Sequence, residues 1–284
     1  MALITLKEIL RTAEEKRYGV GAFNVDCHDT VEGVLNAAEK RRAPVIINLA
    51  EVHYEAAGKD QFIPYLFDRV TRSPIPIVVN LDHGYTYDSA IKAIHLGYSS
   101  VMFDGSKLSY EENIRQTKEI VKVAHTAGVS VEAELGRVVG LEGELGAAIA
   151  ADRGAFTDPD EALNFVEETG IDALAVSIGT VHGVFKGEPE LDFELLERLN
   201  KKISIPLVLH GGSGLSADDF KKAIYYGIRK INVYTSLYKA ALEDIKNQLA
   251  DEHFNSTFAE VVHSARARIE AEAGRHMEIF GTAG

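Results

Sequence analysis

Short runs of apolar residues alternate with longer segments of helical period along almost the whole chain. The runs are "VGAFN" (20–24), "PVIINL" (44–49), "IVVNLD" (77–82), "SSVMFD" (99–104), "VSVEAEL" (129–135), "ALAVSIG" (173–179), "PLVLHG" (206–211) and "KINVYT" (230–235). Such near-continuous apolar runs read as strands buried on both faces, the mark of a parallel sheet. Helix patterns separate them at about 28–42, 59–72, 87–97, 110–127, 158–169, 191–201 and 216–227, and a further pair follows at about 236–251 and 257–275. Ser109 opens the helix that stops at Gly128, and Thr157-Asp158-Pro159 opens the one that stops before Gly170.

Eight strand–helix units suit either an open doubly wound sheet or a closed barrel. Eight units in about 250 residues is the usual size of a barrel, and no glycine fingerprint follows the first strand. The predicted fold class is therefore α/β, a (β/α)8 TIM barrel. No linker or composition step divides the chain, so one domain over 1–284 with a C-terminal helical extension is expected. The longest irregular stretch, 136–156 after the fifth strand, reads as a mobile lid. The closing "GRHMEIFGTAG" reads as a short tail.

Composition narrows the partners. A net charge of −13 argues against nucleic acid or an anionic membrane surface, yet leaves room for a phosphorylated substrate bound by local amides. The single cysteine, Cys27, excludes an internal disulfide framework and fits a reducing compartment. The opening "MALITLKEILRTAEEKR" is amphipathic without the apolar region of a signal peptide, and no apolar stretch reaches the ~18 residues of a membrane span. A cytoplasmic protein is expected.

In a barrel the site forms at the C-terminal ends of the strands. Those ends carry Asn24, Asp82-His83, Asp104, Glu132 and Glu134, His182-Gly183, His210-Gly211-Gly212-Ser213 and Asn232. His83, His182 and His210 can converge although far apart in sequence, and three neutral imidazoles with an open fourth position suit a catalytic zinc or another divalent metal. Asp82, one residue before a proposed ligand, is the candidate acid/base. Asp104, Glu132 and Glu134 are candidate outer partners that orient imidazoles, or an alternative metal position. Glu142, on the long loop, would reach the site if that loop closes. "HGGSG" (210–214) running into a helix offers an anion cradle of backbone amides and the Ser213 hydroxyl. A metal beside a phosphate site, with carboxylates to handle protons, suits enolate chemistry: the metal would polarise a ketone and stabilise the enediolate formed on C–C cleavage.

Taken together, "GVGAFNV", "LDHG", "SVMFDGSKL", "VSVEAELG", "DALAVSIGTVHGVFKG", "PLVLHGGSGLS" and "KINV" resemble the class II, metal-dependent ketose-bisphosphate aldolases. Within them the chain is similar to the tagatose/fructose-bisphosphate branch. The resemblance implies zinc on His83, His182 and His210, with Asp82 exchanging the proton at the C4 oxygen and Glu142 exchanging the enediolate proton. It implies contacts to dihydroxyacetone phosphate from Gly183, Lys186, Gly211, Gly212, Ser213 and the segment Asn232, Val233, Tyr234 and Thr235, with Asn24 also lining the substrate. A monovalent cation (Na+ or K+) near the phosphate and a homodimer or homotetramer are implied as well.

Three positions depart from that pattern, all in the aldehyde half of the substrate site. Ala50, followed by Glu51, stands where relatives carry a hydroxyl residue; Ala259 stands where they carry an arginine; Tyr234 stands where they carry Asp or Ala. Loss of an arginine and a hydroxyl would weaken a second phosphate site, unless Arg72, Arg137 or Arg266 substitutes. Cleavage of a ketose 1-phosphate or 1,6-bisphosphate is therefore expected. The alternative is the same chemistry on a ketose 1-phosphate whose distal end is deoxy or another anion. A Schiff-base aldolase would need a buried lysine at a strand end; Lys230 reads as the opening residue of the eighth strand and Lys186 as a loop residue. A non-catalytic assembly subunit would be expected to have lost ligands that this chain keeps.

Overall fold

The computed structural model describes residues 2–53, 59–138, 140, 147–148, 153–185 and 189–283. Eight strands form a closed parallel barrel: β1 (Val20–Asn24), β2 (Val45–Ala50), β3 (Ile77–Gly84), β4 (Ser100–Phe103), β5 (Ser130–Leu135), β6 (Ala173–Val176), β7 (Leu207–Leu209) and β8 (Ile228–Val233). Each strand pairs with the next, and β8 closes the ring by pairing Val20 to Phe23 of β1 with Lys230 to Val233. The expected (β/α)8 barrel is thus the observed fold. Two changes of boundary matter for the site. β3 continues past Asp82 through His83 and Gly84, and β8 begins at Ile228, two residues before Lys230.

The barrel helices are α2 (His28–Arg41), α3 (Lys59–Thr71), α4 (Tyr87–His95), α5 (Tyr110–Thr126), α6 (Pro159–Thr169), α7 (Phe193–Lys202), α8 (Ala217–Tyr225) and α9 (Thr235–Leu249). Their starts follow local chemistry: Ser109 caps α5, and Asp158 caps α6 with Pro159 in the first turn. The opening amphipathic segment is α1 (Leu6–Lys16), capped by Thr5 and Glu8. Its Leu6, Ile9, Leu10 and Ala13 plug the lower barrel against Val20, Ile46, Val78, Met102 and Val208. Burial of each large side chain contributes about 1.5–3 kcal/mol. The bottom of the barrel is therefore sealed and dry, and the polar interior lies at the other end.

The closing segment is not a tail. It is the last part of α10 (Phe258–Phe280), which ends at Gly281 in the left-handed conformation. Ala273, Met277 and Phe280 recur at helical spacing and are buried. The expected helix end at about 275 falls five residues short, and a Cβ on Gly274 would lie 2.2 Å from the Arg41 guanidinium carbon. A larger residue there would displace the end of the Arg41 side chain, which pairs with Glu278 at 2.8 Å. Beyond β5, Ala147–Ala148 pairs in parallel with Val184–Phe185, which joins part of the long irregular segment to the loop after β6. Among the described residues no helix is long and apolar enough to cross a membrane.

Candidate active site

Along a strand, neighbouring side chains point to opposite faces, so Asp82 and His83 should not both face the barrel mouth. Two departures bring them together. The pairing of β3 with β4 shifts register between Leu81 and Gly84, and His83 has φ 47°, in the left-handed region. A left-handed histidine costs roughly 1–2 kcal/mol, a strain that concentrates at functional sites. Its effect here is to turn the imidazole into the same buried space as the carboxylate.

Asp82 is fully buried, and its two oxygens accept from Asn24 Nδ2 at 2.7 Å and Asn232 Nδ2 at 2.9 Å. Burial alone would raise its pKa; the charges of His83 and Lys230 and the Asn24 hydrogen bond outweigh it and hold the carboxyl below its ordinary value. His83 Nδ1 lies 2.8 Å from Asp104 Oδ2, while Asp104 Oδ1 accepts from the amide and hydroxyl of Ser106 at 3.1 and 2.6 Å. His210 Nε2 lies 2.8 Å from Glu132 Oε1. The other Glu132 oxygen forms an ion pair with Lys230 Nζ at 2.7 Å, and both side chains are inaccessible to solvent.

The carboxylates thus engage one nitrogen of each ring, which leaves His83 Nε2 and His210 Nδ1 facing each other at 3.0 Å. The His182 ring stands edge-on to both, with centroids 4.9 Å from His83 and 5.9 Å from His210. Ligand atoms of the three histidines lie within 4.8 Å of one another, and so do those of His83, Asp104 and Glu134. Burial pushes the pKa of His182 and His210 well below the usual histidine range, which keeps both neutral. His83 goes the other way: burial is overcome by Asp82, Asp104 and Glu134, which push it up to about 10. Glu134 is pushed up to about 8 by burial and by the charge of Asp104.

Beside this cluster lies the glycine-rich turn after β7. Gly211 has φ 66°, and a Cβ there would meet Val181 O at 2.3 Å, so only glycine fits. The Ser213 hydroxyl accepts weakly, at 3.4 Å, from the amides of Tyr234 and Ser236 at the start of α9. The N-cap residue of that helix, Tyr234, makes no side-chain cap bond, so the first N–H groups beside the turn could receive an anion.

The sequence matches the family model described as fructose-bisphosphate aldolase class-II over residues 4–284. The chain belongs to this family. It is 38% identical over 285 residues to a probable fructose-bisphosphate aldolase of Bacillus subtilis, covering 99% of each chain. Identity is also 38% to a sulfofructosephosphate aldolase of Alkalicoccus urumqiensis, over 99% of this chain and 98% of that one. The crystal structure of the YdjI aldolase from Escherichia coli superposes with a TM-score of 0.88 at 34% identity, covering 99% of this chain and 98% of that one. The chain is accordingly an aldolase that cleaves ketose phosphates by the aldol reaction.

For an aldolase of this class the donor set can be tested against a metal. Two metal–nitrogen bonds of about 2.05 Å at a tetrahedral angle place their nitrogens about 3.3 Å apart. His83 Nε2 and His210 Nδ1, at 3.0 Å, are close to that spacing. Each opposite ring nitrogen is engaged by a carboxylate, the arrangement that orients metal-binding histidines. His83 and His210 fit a shared ion, and His182, with a ligand atom within 4.8 Å of theirs, is placed to be a third ligand. The alternative set shares His83, but Asp104 already serves His83 and Ser106.

Most residues read from the sequence come together at this mouth, with some changes of partner. Asn24 and Asn232, expected on the substrate, also hold Asp82, and Asn232 Nδ2 is 3.2 Å from His210 Nδ1. Gly183 follows His182 with φ 89°, Gly212 donates its amide to Asn232 O at 3.3 Å, and Val233 and Thr235 are buried beside the cradle. Glu142 and Lys186 lie outside the described residues. Lys230 is corrected most: it sits within β8, its side chain fully buried on Glu132. The sequence signal for it was present but weak, a lysine two residues before Asn232 in a strand where alternate residues share a face.

Among the positions that depart from the family pattern, Ala50 stands in register beside Asp82 and is buried. Glu51 accepts the Tyr85 amide through Oε2 at 2.7 Å, and the Tyr234 ring packs on Tyr238 at 4.3 Å. Ala259 lies exposed in the first turn of α10. Among the candidate replacement arginines, Arg72 pairs with Asp68 at 2.8 Å and Arg266 with Asp29 at 3.5 Å, while Arg137 is exposed after β5.

Proposed function

We propose that the chain is a zinc-dependent aldolase that splits a ketose 1-phosphate or 1,6-bisphosphate into dihydroxyacetone phosphate and an aldehyde. The observation that carries this reading is the pair of carboxylate-oriented nitrogens, His83 Nε2 and His210 Nδ1, facing each other at 3.0 Å beside Asp82. His83, His182 and His210 would hold the metal, which when bound supplies a Lewis acid for the C2 ketone and the negative charge that develops there. Asp104 and Glu132 orient two of those ligands. The turn Gly211-Gly212-Ser213 and the start of α9 bind the C1 phosphate, with Gly183 and Lys186 completing that end and a monovalent cation, Na+ or K+, balancing its charge.

The proton steps belong to the carboxylates. In cleavage Asp82 takes the C4 hydroxyl proton as the C3–C4 bond breaks; the bond pair stays on C3, and C4 leaves as the aldehyde carbon. In condensation the same carboxyl returns that proton to the aldehyde oxygen. Glu142 protonates C3 to release dihydroxyacetone phosphate. The Lys230 ammonium ion-paired with Glu132 supports this route over a Schiff-base one, because an amine nucleophile must be free and neutral.

A second reading concerns the distal end of the ketose. Ala50 adds no hydrogen bond beside Asp82, and the Glu51 carboxylate on the Tyr85 amide would repel a second anion. Both favour a distal group that is uncharged or smaller than phosphate. The test is kcat/KM of the zinc-loaded protein on fructose 1-phosphate, fructose and tagatose 1,6-bisphosphates and a sulfofructose phosphate, the compound class in the Alkalicoccus relative's name. The monophosphate is expected to lead. A preference of about tenfold for a bisphosphate, worth ~1.4 kcal/mol, would establish a distal phosphate site and overturn this second reading.

The resemblance to the family supports a homodimer or homotetramer. Cys27, the single cysteine, supports a reducing cytoplasmic setting.

A further inference from the structure

The upper layer of the barrel contains three asparagines that a packed core does not call for. Asn24, Asn48 and Asn80 occupy matching register positions on β1, β2 and β3, and all are fully buried. Asn80 Nδ2 donates to Asn48 Oδ1 at 3.0 Å, Asn48 Nδ2 donates to Asn24 Oδ1 at 3.4 Å, and Asn24 Nδ2 donates to Asp82 Oδ2 at 2.7 Å. The direction of the ladder follows from its end. An ionised carboxylate only accepts, so Asn24 must turn its NH2 toward Asp82 and its carbonyl toward Asn48, and the same choice passes on to Asn80. The Asn80 carbonyl has no hydrogen-bond partner among the described residues. Asn80 therefore enters the ladder as a donor, and a buried amide with an unpaired carbonyl is a stability cost that an aliphatic residue would avoid.

We propose that Asn48 and Asn80 are positioning residues for Asp82, acting through Asn24. Each amide polarises the next, so the donor on Asp82 is both oriented and strengthened from two strands away. Asn232 grips the second oxygen from β8. The carboxyl plane is thereby held from both sides. This inference rests on the reading of Asp82 as the group that exchanges that proton.

The test compares two reactions of the same site. Cleavage needs a group at the C4 oxygen. Exchange of the C3-derived carbon-bound proton of dihydroxyacetone phosphate with solvent does not, because that molecule has no C4. Asn48→Leu is expected to lower kcat for cleavage about tenfold or more, since small misplacement of a reacting group has effects up to a hundredfold, with proton exchange and zinc content per chain unchanged. Asn80→Ala should show the same split more weakly, and carries the test if Asn48→Leu does not fold. In an Asn24→Ala background, Asn48→Leu should add nothing, because its effect passes through Asn24. Equal losses in cleavage and exchange, or additive effects in the Asn24→Ala background, would overturn the ladder. The reading of Asp82 fails separately: it falls if Asp82→Asn leaves cleavage intact, whereas wild-type cleavage by Asn48→Leu with Asp82→Asn inactive removes the ladder alone.

Discussion

Asp82→Asn should lower kcat for cleavage by about 10²–10⁴-fold, the range contributed by a positioned acid/base, while zinc content stays at the wild-type value. The carboxylate is fully buried, and amide donors from Asn24 and Asn232 converge on its two oxygens. An amide in its place cannot take the C4 proton, and its own NH2 would face one of those donors. Zinc content should hold because Asp82 makes none of the contacts that orient His83 and His210. The measurement is single-turnover cleavage followed by release of dihydroxyacetone phosphate, alongside metal analysis. Wild-type kcat in Asp82→Asn would remove Asp82 from the proton steps, and loss of zinc would recast it as part of the metal site.

Lys230→Met is the second large effect, and it acts on stability. The substitution leaves the Glu132 carboxylate without its ammonium partner in a site with no solvent access. Breaking one partner of a buried ion pair costs about 3–5 kcal/mol, which denaturant unfolding would read as a lower midpoint at an unchanged slope. Adding Glu132→Gln to Lys230→Met should recover part of that loss, because no lone charge remains buried. At temperatures where the single variant is folded it should still cleave substrate, since His83, His182 and His210 are all present. A Schiff-base enzyme would instead lose all turnover with its lysine. Full stability in Lys230→Met would show that the pair does not hold this part of the barrel.

Much of this was legible in the sequence, because parallel barrel strands are apolar on both faces and end in polar residues at one rim. The runs around residues 20, 45, 77 and 130 mark their strands to within two residues, and the three histidines follow from reading the strand ends. What escaped lies inside those runs. Asn48, Asn80 and Lys230 each look like a polar interruption of an apolar strand; their partners are on strands 24 to 98 residues away, and only closure of the barrel brings them together. The left-handed turn at His83 was hidden for a different reason: strand alternation places Asp82 and His83 on opposite faces, and only the register shift against β4 reverses that. The end of α10 was set five residues short, at about 275, although Met277 and Phe280 continue its buried face. Glu142 and Lys186 fall outside the described residues, so their roles rest on the family motif.

The most direct test of a metal-dependent aldol site is to strip the protein with a chelator and titrate zinc back while following release of dihydroxyacetone phosphate from a ketose 1-phosphate. A site built on His83, His182 and His210 predicts no turnover by the stripped protein and recovery in proportion to zinc, saturating at one ion per chain. Full turnover without metal, with a borohydride-trapped substrate adduct on a lysine, would contradict it.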